Sequence, residues 1–269
     1  RIRISRRIKR ETMMSEKDLE EYHNIGKPIK YSGKYKYVSG QMYEHHGTRM
    51  YDFGGQKLPS VTTILGLTKN QQFLKDWQEK VGHEKAERIK NHSSKRGTSV
   101  HKFLESYITG VGYDDLSPIG KEAKPMAEKI IEIGLTPVDE YYGSEISLYY
   151  PGLYAGSTDL VCLHNGLETI VDFKQANRPK KKEWIEDYYL QIAAYAMAHD
   201  YVHKSQIRQG VIMMCTPDLY YQEFRITDHE LRAWKHKFLK RLDSYHDLIF
   251  DEKEKAKVNM NPEDFFNGA

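Results

Sequence analysis

The dipeptide Asn165-Gly166 constrains this chain more than any other pair of residues. Asn and Gly both tolerate the left-handed backbone that a two-residue hairpin turn requires. The runs on either side, LYAGSTDLVCL over 153–163 and LETIVDFK over 167–174, read as the two strands. Such a turn also sets the register. Asp159 lies six residues before Asn165 and Asp172 six residues after Gly166, so the two face each other across the pair. Opposed side chains on antiparallel strands have Cβ atoms about 4.5–5.5 Å apart. Two carboxylates at that spacing repel unless a cation lies between them, and hard oxygen ligands suit Mg²⁺ or Mn²⁺. The other reading of Asp159 is a turn-flanking residue at a bulge, because Gly156 can disturb the pairing.

Asp172-Phe173-Lys174 closes the second strand. Strand side chains alternate, so Asp172 and Lys174 share a face and Phe173 points to the other, toward the core. A carboxylate and an ammonium so placed can hold a divalent metal and a water side by side. The same spacing also makes an ordinary ion pair at a strand end.

Around this hairpin the periodicities predict helix and strand in a definite order. A helix runs through RGTSVHKFLESYITG (96–110), with Val100, Phe103, Leu104 and Tyr107 on one face and Gly110 ending it. A second spans 121–133, after a loop containing Pro118. EYYGSEISLYY (140–150) precedes the hairpin as a strand. An amphipathic helix over 183–202 follows, then strands at 211–215 and 220–226. Thr227 and Glu230 form a capping box for a last helix over 228–249. Upstream, short strands over 35–53 break at Gly40 and Gly47, a helix starts at Pro59-Ser60, and 71–91 reads as one helix. The expected fold class is α/β, a mixed central sheet flanked by helices with an N-terminal helical and β accessory region. The expected divisions are a basic tail over 1–14, an accessory region over 15–95, the core over 96–250 and a polar, frayed tail over 251–269. The basic opening RIRISRRIKR reads as an upstream segment before Met13 or Met14, with a transit peptide or nucleic-acid arm as the alternatives.

Composition excludes several classes. No run of apolar residues is long enough for a membrane span. The two cysteines, Cys162 and Cys215, rule out a disulfide scaffold, a four-cysteine zinc site and an iron–sulfur cluster, and point to a reducing compartment. The expected location is inside a cell, the cytoplasm of a prokaryote or of a virus-infected cell, with the mitochondrion as the alternative. With 41 Lys and Arg against 38 Asp and Glu, the net charge of +3 neither demands nor excludes nucleic acid.

Further candidates cluster around the carboxylates. His101 and Glu105 stand at i, i+4 on the 96–110 helix, and His101 can be a third metal ligand or a surface histidine. Glu145, on the first strand, adds a carboxylate or orients a neighbour. Gln191 and Tyr195, again i, i+4, can reach a phosphate or base, or support the core. Arg178, Lys180, Lys181 and Lys182 form a basic loop beside the carboxylates, suited to a phosphodiester backbone. Trp77, Trp184 and Phe73 can stack bases.

Taken together, GTSVHKFLES, Glu145, GSTD, VDFK and QIAAY resemble the PD-(D/E)XK nuclease superfamily, in its RecB-like exonuclease branch. Within the branch the likeness is greatest to the mitochondrial genome maintenance exonucleases. It extends over about 58–215 and includes LPSVTTIL. The resemblance implies a restriction-endonuclease-like core and a metal-dependent exonuclease. Asp159, Asp172 and His101 would bind the metal, with the Phe173 carbonyl. Asp159, Asp172 and Lys174 would be the catalytic set, Lys174 positioning the attacking water. Glu105, Glu145, Gln191, Tyr195, Ser60, Arg178 and Lys180 would support the site or the DNA. The implied cofactor is Mg²⁺ or Mn²⁺ and the implied substrate single-stranded DNA, including flaps. No membrane and no nucleotide cofactor are expected, since a P-loop is missing. A catalytically idle DNA-binding module and an endonuclease are the rival readings.

Overall fold

The computed structural model describes residues 29–258, with side chains described to 251 and that of Phe73 excepted. The basic opening segment and the end of the polar tail therefore lie outside the described residues.

Among the described residues nine strands form two sheets. β1 is Lys30–Tyr31, β2 Gln41–His45, β3 Thr48–Phe53 and β4 Gln56–Pro59. β5 (Val138–Tyr150), β6 (Tyr154–His164), β7 (Leu167–Gln175), β8 (Gln209–Cys215) and β9 (Tyr221–Thr227) follow. The large sheet has the order β1-β5-β6-β7-β8-β9, and β2-β3-β4 form a small one. β7 and β8 are parallel, as are β1 and β5, while the other neighbours are antiparallel.

Among the described residues six α-helices join them. They are α1 (Val61–Leu67), α2 (Gln72–Val81), α3 (His83–Thr109), α4 (Pro118–Gly134), α5 (Glu186–His203) and α6 (Asp228–Val258). One face of the large sheet, bearing Val161, Ile170, Ile212 and Met214, packs on α1, α5 and α6. The other, bearing Leu160, Cys162, Val171, Phe173, Val211, Met213 and Cys215, packs on α3 and α4. Consecutive residues of β6, β7 and β8 go to opposite layers because strand side chains alternate, and both layers are dry, so these strands read as continuous apolar runs. The result is the mixed sheet flanked by helices that the sequence led us to expect, with the core order α3, β5, β6, β7, α5, β8.

The hairpin forms as predicted. Asn165 and Gly166 have φ of 50° and 74°, and the ladder runs from His164↔Leu167 to Leu160↔Val171.

Several boundaries differ from the sequence reading. The stretch 71–91 is not one helix. Gly82, at φ 90°, breaks it, and its second half joins the 96–110 segment as the single long helix α3. α4 starts at Pro118 and not at 121, because Ser117 caps it, its Oγ accepting from Gly120 N–H at 3.1 Å, and proline suits the first helical position. Pro59 ends β4, leaving Ser60 to cap α1. The segment 35–39 forms no strand. α6 continues nine residues past 249 to Val258, so part of the expected frayed tail is helical.

Candidate metal centre

The site lies where β6 and β7 part. Their pairing ends at Leu160↔Val171, and one step further along the same register Asp159 stands opposite Asp172. On the other side of β6, the pairs Ser144↔Leu160 and Ile146↔Thr158 put Glu145 opposite Asp159. Three carboxylates therefore lie in a row across three adjacent strands. Glu145 has a φ of 50°, a left-handed conformation that costs a non-glycine residue about 1–3 kcal/mol.

α3 completes the group. Its inner face, with Val100, Phe103 and Leu104 fully buried, presses on the sheet. His101, next to Val100, is thereby turned toward the fork. Its Nδ1 lies 3.4 Å from Asp159 Oδ1 and 3.4 Å from Glu145 Oε1. Ligand atoms of His101, Glu145 and Asp159 all fall within 4.8 Å of one another. Asp159 Oδ2 accepts the Phe173 backbone N–H at 2.6 Å, which holds its carboxylate toward β7. Asp172 is just outside this trio. Its Oδ2 pairs with Lys174 Nζ at 2.5 Å. The ring of Tyr188 on α5 lies 5.0 Å from the same Nζ.

Electrostatics separate the groups. Burial alone would lower the His101 pKa, but the charge of Asp159, with hydrogen bonds to Asp159 and Glu145, outweighs it and lifts the imidazolium to about 10. Burial would raise Asp159, yet His101 and Lys174 hold it below the ordinary carboxylate range. Burial pushes Asp172 up to about 6 against the pull of Lys174, with the Asp159 charge adding to the rise. Lys174 remains cationic because Asp172 and Asp159 outweigh the cost of burying it. His101 and Lys174 set two positive charges against these three carboxylates. Oxygen donors with one imidazole fit Mg²⁺ or Mn²⁺.

The remaining candidates divide. Glu105, half-buried, lines the same opening, and burial with the nearby charge of Glu145 raises its pKa. Gln191 Nε2 donates to Tyr195 Oη at 3.2 Å. Tyr195 is buried and does not face solvent. A Cβ on Gly156 would stand 2.7 Å from Tyr195 Cε1, so glycine there makes room for the ring and leaves the pairing with Leu148 intact. Ser60 is 1% exposed, and its Oγ accepts from Thr63 N–H at 2.9 Å. It is a helix cap bridged to Ala155. Arg178 is exposed, whereas the Lys180 backbone is clamped by the Gln222 side chain at 2.7 and 2.9 Å. Trp184 is exposed with Lys181 Nζ 5.4 Å from its ring, and Trp77 is half-buried.

Arg96, which opens the RGTSV motif, has a structural part that its local sequence does not announce. Its guanidinium is buried and ties α3 to the end of β7 through Gln175 Oε1 at 2.8 and 2.6 Å, with further bonds to Asn177 and Glu122.

No protein-family model and no curated protein matches this chain. Among the described residues no helix is long and apolar enough to cross a membrane. Among the solved structures similar to it are three of low sequence identity. SSO0001 matches with a TM-score of 0.32 and 13% identity, over 56% of this chain and 84% of that one. A candidate exonuclease from Eubacterium rectale matches with 0.39 and 13%, over 57% and 68%. An alkaline exonuclease from Laribacter hongkongensis matches with 0.30 and 14%, over 60% and 85%.

Proposed function

We propose that this protein is a metal-dependent nuclease that hydrolyses phosphodiester bonds of single-stranded DNA from an end. The observation that carries the reading is the row Glu145–Asp159–Asp172 across three strands, with His101 at one side and Lys174 at the other. A structural ion-pair cluster does not call for three carboxylates side by side, since lateral like charges are destabilising. A cation-binding site does.

Mg²⁺ or Mn²⁺ would be held by His101, Glu145 and Asp159, with Asp172 adjacent and the Phe173 carbonyl as a further donor. When bound, the ion supplies positive charge against the developing phosphoryl charge and acidifies a water. The protein's own residues do the rest. Lys174 offers its Nζ protons to a water oxygen on the face it shares with Asp172 and orients that water for attack. Phe173 N–H and the Asp159 carboxylate hold each other in place, so the donor needs no rearrangement during the reaction. Tyr195 and Gln191 brace the strands from behind. Arg178, Lys180 and Lys181 supply cationic contacts for the backbone, and Trp184 an exposed ring for a base. Trimming of flaps during DNA replication, repair or recombination is the role such an activity fits, as in the mitochondrial genome maintenance exonucleases that the motifs resemble.

The test is digestion of linear and circular single-stranded DNA in Mg²⁺ or Mn²⁺, with EDTA and Asp172→Ala as controls. Loss of the linear form alone, abolished by both controls, is the expected result. Cutting of the circle identifies an endonuclease instead. Binding without cutting identifies an idle DNA-binding module.

A further inference from the structure

We infer that the outer face of α3 is the track along which the substrate's backbone reaches the metal centre, with Lys90 and Lys102 binding its non-scissile phosphates. The inference rests on the nuclease reading for the identity of the strand, and on separate observations for its place.

An open groove of about 660 Å³ runs beside α3 and ends at His101, Glu105 and Glu145. Lys90, Ser94, Thr98 and Lys102 all line it and all are exposed. They recur every four residues, so they form one stripe along the helix. At 1.5 Å per residue the stripe is about 18 Å long from Lys90 to Lys102. That length suits several linked nucleotides better than a single small anion. Between the two lysines the stripe carries hydroxyls and no acid. Thr98 Oγ1 donates to Ser94 O at 3.1 Å, so the phosphate contacts of the stripe fall to the two lysines. Lys90 Nζ has only a 3.9 Å approach to Glu87, and Lys102 Nζ lies 5.5 Å from the Tyr113 ring. Both ammonium groups are available to a phosphate.

Two further features make the wall a fixed one. Buried Arg96 locks the middle of α3 to Gln175 and Asn177 at the end of β7. Gln175 Nε2 also donates to Ser93 O at 2.9 Å. The helix that carries His101 thus carries the lysines in a fixed relation to it. Lys102 stands one residue from His101 and three from Glu105, so the cationic stripe leads directly to the carboxylates.

The test compares wild type, the Lys90→Ala/Lys102→Ala pair and Lys240→Ala, an exposed lysine of α6, as the charge control. Binding of a fluorescent oligothymidine is followed against salt concentration in EDTA, where cutting is absent. Each phosphate contact on a single strand contributes about 0.7 to the slope of log K against log salt. The pair should lower the magnitude of that slope by about 1.4, with weaker binding, while Lys240→Ala leaves it near wild type. In Mg²⁺ the pair should raise KM and spare kcat. A pair whose slope and affinity match those of Lys240→Ala overturns the track. If wild type binds with the expected slopes and never cuts, the track stands and the nuclease reading falls. If wild type cuts and the pair changes neither slope nor KM, the reverse holds. Both lysines are exposed, so unchanged melting is the check that the variants fold.

Discussion

Asp159 Oδ2 accepts the backbone N–H of Phe173 at 2.6 Å, one residue past Leu160 on β6 and two past Val171 on β7, the last pair of the ladder. A side-chain carboxylate thus takes over where the ladder stops. It satisfies a buried donor with one oxygen and faces His101 with the other. Asp159 therefore has a structural and an electrostatic role, which two substitutions separate. Asp159→Asn keeps an acceptor for Phe173 and removes the charge. Asp159→Ala removes both and orphans a buried N–H, which costs about 1–3 kcal/mol. We expect both to lose Mn²⁺ binding by calorimetry, and only the alanine variant to lose stability on this scale in denaturant unfolding. Equal stability of the two variants would show that the Phe173 bond is not what holds Asp159.

Glu145 holds a left-handed backbone in the middle of β5. Glycine adopts that conformation without the Cβ clash, and alanine does not. Glu145→Gly should be more stable than Glu145→Ala by about 1 kcal/mol, and neither should bind metal as wild type does. The order would reverse if the residue were ordinary extended strand, because glycine is the poorer strand former.

Lys174 and Asp172 neutralise each other in a place where neither is well solvated, with side chains 20% and 3% exposed. Removing one partner leaves a buried charge uncompensated, at a cost of about 3–5 kcal/mol. Lys174→Met should be destabilised on that scale, and Asp172→Asn added to it should restore much of the loss. A double-mutant cycle from urea unfolding measures this coupling. Additive losses would contradict the pairing. Cleavage should be absent from all three variants.

His199 titrates outside the site. Its ring is buried, with Nε2 3.0 Å from Tyr37 Oη and Nδ1 2.7 Å from Ser205 Oγ. Burial, aided by the neighbouring His203 and Lys34, lowers its pKa to about 3. The unfolded chain takes up this proton near pH 6.5 and the folded protein does not until about pH 3. Within that window the unfolded state binds more protons, so stability falls as pH falls. This one group contributes about 1.4 kcal/mol per pH unit, and nothing above its unfolded pKa. His199→Gln should show a shallower loss of stability than wild type in urea titrations carried downward from neutral pH. Parallel curves would rule the group out as a source of acid sensitivity.

The carboxylate pair was legible because its causes are local. Asn165-Gly166 permits one tight turn, the turn permits one register, and the two-residue strand period then places Asp159 against Asp172 and sends Phe173 into the core. Amphipathic spacing likewise announced the inner face of α3, whereas α5, expected to be amphipathic, is buried on nearly every side because it packs between the sheet and α6. Other features arise from contacts between residues distant in the chain, which no local pattern encodes. Packing of α3 on the sheet selects His101 from twelve histidines, and the β5–β6 register promotes Glu145 from an accessory to a member of the central trio. The same packing buries Arg96 as a strut and makes a groove of an ordinary charged helix face. Backbone conformation is set within a few residues of each position. Side-chain proximity is set by how the apolar layers close over one another, and that closure exists only in the assembled fold.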